Sequence, residues 1–365
     1  MNEASNDLVG LHASDPVSVY LAAWARVRDF ETNALDAALY EDRSLLKILG
    51  MRRTMFVLPV ELAGVVQSAC TESLASGERP RLVKMIRGAG IATDAERWLD
   101  GVEAETVEAL HRLGEATAAE LTKEVEGLRA QIPFGTGTKW QGRVSVSTRL
   151  LFLLAAEGRI IRGRPKGTLV SSLYRWAPMD RWVPGGLPTP PGDEARVELV
   201  RRWLATFGPG TTKDIGWWTG WTVAMVKRAL AGIGPVEVEL DDGSTGLLLP
   251  DDLEPTPAPA APWVTLLPAL DPTIMGWQAR DWYLGEHRRA LFDVNGNAGP
   301  TIWLDGRVVG GWIQRRDGEI AYRLLEDVGG EADLVAARAA DLRTWLGDLR
   351  FIPRFRTPLE QELSR

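Results

Sequence analysis

From Asp193 onward the apolar positions run first at helical and then at strand spacing. In DEARVELVRRWLATFG, Val197, Leu199, Val200, Trp203 and Leu204 share one side, the period of a helix packed on a core. PGTTKDIGWWTG opens a short second helix that Thr211 can cap, with Asp214 three residues on completing a capping box. Gly220 breaks the chain and Thr222 caps a third helix, VAMVKRALAGI. VEVELDDGSTGLLL then alternates, turns at Asp242-Gly243 and returns. Helix, helix, helix, hairpin is the order of a winged helix-turn-helix.

The order recurs. AETVEALHRLG is a helix ended by Gly114, and TAAELTKEVEGL opens on a second capping box, Thr117 with Glu120. The helix SVSTRLLFLLAAEG and the hairpin RIIRGRPKGTLVSSLYRW follow. A shorter N-terminal copy reads as helices VSVYLAAWARV, NALDAALY and RSLLKILG, then the strand MRRTMFVLP. Each unit is small for a core of its own, so tandem packing is expected. The last stretch differs. Short strands join at Asp305-Gly306 and Asp317-Gly318, followed by a helix from Asp333 to about Leu349, the pattern of a small β-barrel or curled sheet. Proline-rich stretches from Trp182 and Leu249 read as linkers. The expected class is α+β, with winged-helix modules at 1–90, 91–182 and 193–250 and a barrel with its helix at 262–365.

Charge sharpens this picture. The net value of −7 argues against a polyanionic partner, but it hides segregation: from Lys139 to Arg175 there are eight Lys/Arg against Glu157 alone. Arg162, Arg164 and Lys166 fall on one hairpin with an exposed Pro-Lys-Gly tip, placed to meet phosphates, as do Lys139 and Arg143. The plainer alternative is a solvated charged hairpin. Arg52, Arg53 and Thr54, on the strand of the first module, are phosphate or groove contacts or else a solvated strand edge. Of 15 tryptophans, Trp218 and its neighbours can stack on bases, although each taken singly fits core packing better. No apolar run approaches a membrane span, no basic-then-apolar leader opens the chain, and Cys70 stands alone, so a cytoplasmic monomer without disulfides is expected. Three scattered histidines make a metal site improbable, and no GxxxxGK[ST] loop or other cofactor motif occurs.

The stretches LVGLHASDPVSVYLAAWARVRDF, LYEDRSLLKILGMRRTMFVLP, WWTGWTVAMVKRAL, LLPALDPTIMGW and LFDVNGNAGPTIWLDGRVVGGW occur in this order along nearly the whole chain. Together they resemble the tandem winged-helix DNA glycosylases, the AlkZ-like family of azinomycin-resistance and crosslink-unhooking enzymes. The resemblance implies three winged-helix modules in a C-shaped scaffold plus a C-terminal β-barrel. It also implies excision of bulky alkylated purines from double-stranded DNA, interstrand crosslinks included, and self-resistance to a DNA-alkylating natural product. The family's catalytic motif, Gln-x-Gln or Gln-x-Asp just before Asp-Pro, is replaced here by His12-Ala13-Ser14.

The replacement is chemically workable. An N7-alkylguanine is cationic and leaves as a neutral base, so the enzyme needs chiefly to stabilise an oxocarbenium-like sugar and hold a water. A neutral imidazole at His12 can hold the water and take its proton, and Ser14 can orient it. Asp15 is read as the N-cap before Pro16, with electrostatic support of the cationic sugar as the alternative. Ser14 then stands just before the cap, with both side chains projecting from the helix mouth. Lys47 is the only lysine before Met51 and lies on another element, which argues for a monofunctional enzyme without lyase activity. Rival readings are a non-catalytic winged-helix regulator and an adduct-sequestering protein.

Overall fold

The structure, a computed structural model, describes residues 1–135, 137–139, 141–351 and 356–365. The chain divides into two compact units rather than four segments. One joins Glu3–Leu35 to Val200–Arg365, and the other is Asp36–Leu199. The helix Pro16–Trp24 belongs with the C-terminal part because Arg26, just beyond its end, forms a two-pronged ion pair with Asp271 at 2.6 and 2.8 Å.

In the unit Asp36–Leu199, the helix Ala95–Leu113 ends at Gly114, whose φ is 77°. Ala116–Thr117 then pairs with the hairpin Ile160–Pro165/Tyr174–Pro178, through Ala116 opposite Trp176 and Thr117 opposite Arg175. Thr117 and Glu120 form the expected capping box on the helix Ala118–Glu124, and Val146–Ala156 is the third helix. The other unit repeats this construction. Thr211 and Asp214 form their capping box on Thr212–Thr219, Gly220 closes that helix in the left-handed region, and Thr222 caps Val223–Ala231. The hairpin Val236–Glu239/Thr245–Leu248 receives Gly210 as a bridge opposite Leu247. In both cases the residue before the capping threonine ties the second helix to the hairpin.

Two elements differ from expectation. RSLLKILG is not a helix: Leu45–Leu49 is a strand paired register for register with Met55–Pro59. Its apolar residues are buried on both faces, so the run carries no alternation to separate a strand from a buried helix. The sequence reading also passed over a second hairpin, Gln131–Phe134 with Gly142–Ser145, between the helices of the 91–182 segment.

The C-terminal sheet is antiparallel in the order Val264–Leu267, Thr301–Leu304, Arg307–Gln314, Ile320–Leu324. The turn at Asp305-Gly306 has both residues at positive φ, 47° and 85°, as a two-residue hairpin loop requires. Among the described residues no pairing joins the first strand to the last. Tyr283, Trp303, Val308, Ile313 and Leu359 fill the core on one face, and Trp312 donates its indole N–H to the Leu267 carbonyl at 3.0 Å. No helix among the described residues is long and apolar enough to cross a membrane.

Candidate active site

The N-terminal helix Asn2–Asp7 gives way to a tight turn in which Val9 and Gly10 have φ of 51° and 102°. A β-branched residue in the left-handed region is strained, and the turn holds because Gly10 donates to the Ser5 carbonyl at 2.7 Å. Out of it comes the two-residue strand Leu11–His12, and after it a bend at Ser14. Asp15 is extended, with φ −105° and ψ 121°, and Pro16 occupies the first turn of the next helix. That helix is buried from Val17 through Trp24. It is anchored at its far end by Arg26, which also bonds Thr273 Oγ1 at 2.9 Å, and by Trp24, which packs on Trp345 and lies under Arg338 at 3.9 Å.

The motif residues are therefore held rigidly but do not face one way. His12 is 4% exposed and Ala13 is buried, whereas Ser14 is exposed. The expectation that both His12 and Ser14 project from the helix mouth is corrected: the strand ends at His12, and the bend turns Ser14 outward. Asp15 does stand at the N-cap position, yet its carboxylate takes no capping amide; Ser18 Oγ donates to it instead, at 3.4 Å.

The basic residues expected to meet DNA all fall in the other unit, and the structure sorts them. Arg52 and Arg53 are not on a strand but in the short turn Met51–Arg53 between the paired strands, both at positive φ, 51° and 62°. Two consecutive side-chain-bearing residues in that region store strain, which binding sites often carry. Arg53 pairs with Glu78 at 2.9 Å, and the Thr54 hydroxyl is spent on the Met51 carbonyl. Arg164 is committed to Asp36 at 3.0 Å and Glu41 at 3.3 Å. Arg162 is different: its guanidinium stacks over Tyr174 at 4.0 Å and Trp176 at 5.4 Å, and among the described residues it has neither a hydrogen bond nor an ion pair. Desolvation lowers its pKa. Lys139, Arg143 and Lys166 are exposed and form no ion pair among the described residues, although Lys166 acts electrostatically on Glu120. Lys139 lies between the two strands of the hairpin Gln131–Phe134/Gly142–Ser145, and Arg143 is on its second strand opposite Pro133, next to Phe134, which is 38% exposed.

Trp218 is not available to a base. It is 4% exposed and packs against Phe207, with ring centroids 6.4 Å apart, because the helix carrying it turns that face to the core. Among the described residues no group of three His, Cys, Asp or Glu is arranged to hold a metal.

The family model for DNA glycosylase AlkZ-like proteins matches residues 6–365. The chain belongs to the AlkZ-like DNA glycosylase family. It is 26% identical, over 290 residues, to an interstrand DNA cross-link repair glycosylase of Streptomyces sahachiroi, covering 74% of this chain and 71% of that one. Its fold is similar to that of the Streptomyces sahachiroi DNA glycosylase AlkZ, with a TM-score of 0.68 at 21% identity, over 94% of this chain and 91% of the other. Arg26 of WARVRDF and Asp271 of LLPALDPTIMGW, distant in sequence, are the two ends of the ion pair that anchors the motif helix.

Proposed function

We propose that this AlkZ-like chain is a monofunctional glycosylase that hydrolyses the N-glycosidic bond of bulky N7-alkylated purines in duplex DNA, interstrand cross-links among them. Its biological setting in this reading is self-resistance to a DNA-alkylating natural product. The repeated helix, bridge, capping-box helix, helix and hairpin supports three tandem winged-helix modules, with the C-terminal sheet as the core of a small barrel. The name of the Streptomyces sahachiroi relative supports the cross-link substrate.

In this reading the cationic base leaves neutral and draws the bonding electrons with it. His12 Nε2 or Nδ1 holds one water and takes its proton as the water attacks the anomeric carbon. An imidazole 4% exposed meets ordered water rather than bulk solvent, which suits delivery of a single nucleophile. Ser14, on the exposed side, orients the incoming strand or the water. Asp15 supplies negative charge to the oxocarbenium-like sugar. Arg52, Arg53, Lys139, Arg143, Arg162 and Lys166 hold phosphates. The observation that carries the proposal is the AlkZ-like match over residues 6–365, with the buried His12 of the His-x-Ser segment leading directly into the N-cap residue Asp15 of the motif helix.

The test uses duplex DNA with a single N7-alkylguanine. Incubation followed by hot alkali breaks the strand at the lesion, and omission of alkali leaves it intact. Absence of alkali-labile sites overturns the proposal. Strand cleavage without alkali, trapped by borohydride, overturns its monofunctional part.

A further inference from the structure

In the unit Asp36–Leu199 an open cavity of about 790 Å³ lies between the helix Ala118–Glu124 and the strand Tyr174–Pro178. That size is within the range of small-molecule clefts, about 300–1,000 Å³. Four cations line it, Arg43, Lys123, Arg175 and Arg181, none of them among the residues assigned to DNA above. Three carboxylates, Glu115, Glu120 and Glu124, line it as well.

The carboxylates are mostly engaged. Glu120 Oε2 accepts the Thr117 amide and hydroxyl, both at 2.8 Å, to close its capping box. Glu124 pairs with Arg112 at 2.8 Å. Only Glu115, of these three, has neither an ion pair nor a side-chain hydrogen bond among the described residues. The cations are in the opposite state, for none of the four forms an ion pair among the described residues. Arg43 stands in the turn after the helix Thr32–Tyr40 with φ 54°, a conformation that strains a residue with a side chain and recurs at ligand clamps. Its guanidinium lies on the Trp182 ring at 4.3 Å and donates to the Arg181 carbonyl at 3.0 Å, which fixes it in place. Its Nε–H is nevertheless buried without an acceptor among the described residues. A buried donor left unmet is unfavourable, and an arriving acceptor relieves it. Exposed Lys123 and half-buried Arg175 make no side-chain hydrogen bond among the described residues, and Arg175 acts on Glu120 only through space.

Three cations with unmet donors thus line one cavity from three separate elements, against one carboxylate without a partner. A phosphoryl group offers three oxygens to such a set, whereas a carboxylate offers two. The cavity is also larger than a bare phosphate ion fills. We propose that it is a phosphate-ester site, in which Arg43, Lys123 and Arg175 take the phosphoryl oxygens of an organic phosphate of nucleotide size. The ester is a free nucleotide or a unit of a DNA strand, and the site does not rest on the glycosylase reading.

Calorimetric titration of the full chain at low salt, with deoxyguanosine monophosphate as the probe, is expected to saturate at one equivalent. Lys123→Gln and Arg175→Gln should each weaken binding about tenfold, the loss of one charge-assisted hydrogen bond. Arg43→Lys should weaken it too, because an ammonium keeps the charge but has neither the flat stack nor the Nε–H. Glu115→Gln should tighten it about threefold, since the one unpaired carboxylate no longer repels the phosphate. Replacing the exposed Lys123 leaves the core untouched, and a gain from Glu115→Gln cannot come from unfolding. Absence of saturable binding at millimolar probe overturns the proposal. So does binding that all four variants leave unchanged, or that acetate displaces as well as inorganic phosphate does. A short undamaged duplex is the second arm. If Lys123→Gln and Arg175→Gln weaken its binding by the same factor, and the mononucleotide competes with it, the ester is part of a DNA strand. If duplex affinity holds while mononucleotide binding falls, the ester is free.

Discussion

Two arginines, one in each unit, are shielded from water and treated in opposite ways. Arg26 has its guanidinium occupied: both oxygens of Asp271, the Thr273 hydroxyl and the Ala22 carbonyl accept from it. Arg162 lies against two aromatic rings with no acceptor among the described residues. Fold stability alone accounts for the first, since a buried charge is tolerable when its donors are matched. The desolvation of the second is offset only by the faces of Tyr174 and Trp176, which leave its N–H donors without an acceptor among the described residues. Shielding is thus a poor guide to function, and unmet valence is a better one. The same contrast separates the units more broadly. The helix after the motif is anchored at its far end by the long-range, matched contacts of Arg26, while Arg162 on the hairpin of the other unit has no acceptor among the described residues.

If chemistry belongs to the first region and binding to the second, the largest effect comes from the motif. His12→Ala is expected to lower the single-turnover excision rate by about two to four orders of magnitude, the usual contribution of a positioned base. The affinity for lesion DNA should stay within about threefold, because the phosphate contacts lie elsewhere. His12→Gln, which puts a neutral amide where the imidazole stood and can still hold a water by hydrogen bonds, should recover much of the loss. A His12→Ala enzyme that excises as fast as wild type ends the assignment.

Next in size is the anchor. Asp271 is fully buried, so Asp271→Asn strands the charge of Arg26 and should cost about 3 kcal/mol, the lower end for a broken buried pair because Arg26 is 20% exposed. Denaturant unfolding reads this directly. A loss below about 1 kcal/mol would show that the pair orients the motif helix without stabilising the unit, and would collapse the distinction drawn between the two arginines.

What the sequence disclosed follows the range of each interaction. Both capping boxes, the closing Gly220 and the turn at Asp305-Gly306 are settled within four residues, and each was legible. Leu45–Leu49 was misread because burial on both faces erases the alternation that marks a strand. Arg164 and Trp218 were singled out by type, but their use is decided by Asp36, Glu41 and Phe207, residues that no local pattern ties to them. His12, Ser14 and Asp15 could be located, while the inward turn of His12 depends on a bend that the sequence does not announce. Glu360 was passed over entirely. Its spacing from Thr357 carries the capping-box signal, but its burial is decided by the packing of the C-terminal helix Pro358–Leu363, which no local pattern shows.

The smallest effects come from the hairpin Ile160–Pro165, and they discriminate best because two arginines two residues apart are predicted to behave differently. Arg162→Ala removes an unmatched cation and should weaken DNA binding about tenfold, with the slope of log affinity against log salt reduced by about one. Arg162→Lys should recover the slope but not all the affinity, since an ammonium cannot lie flat on Tyr174 as the guanidinium does. Arg164→Ala should change binding less than about threefold and leave the slope alone, because its charge is already balanced by Asp36 and Glu41. It is a surface network, so its stability cost should also stay below about 1 kcal/mol. Equal salt slopes lost at both positions would mean that the local ion pairs open on binding, and that an arginine's partners in the unbound protein do not foretell which of them meets the phosphate.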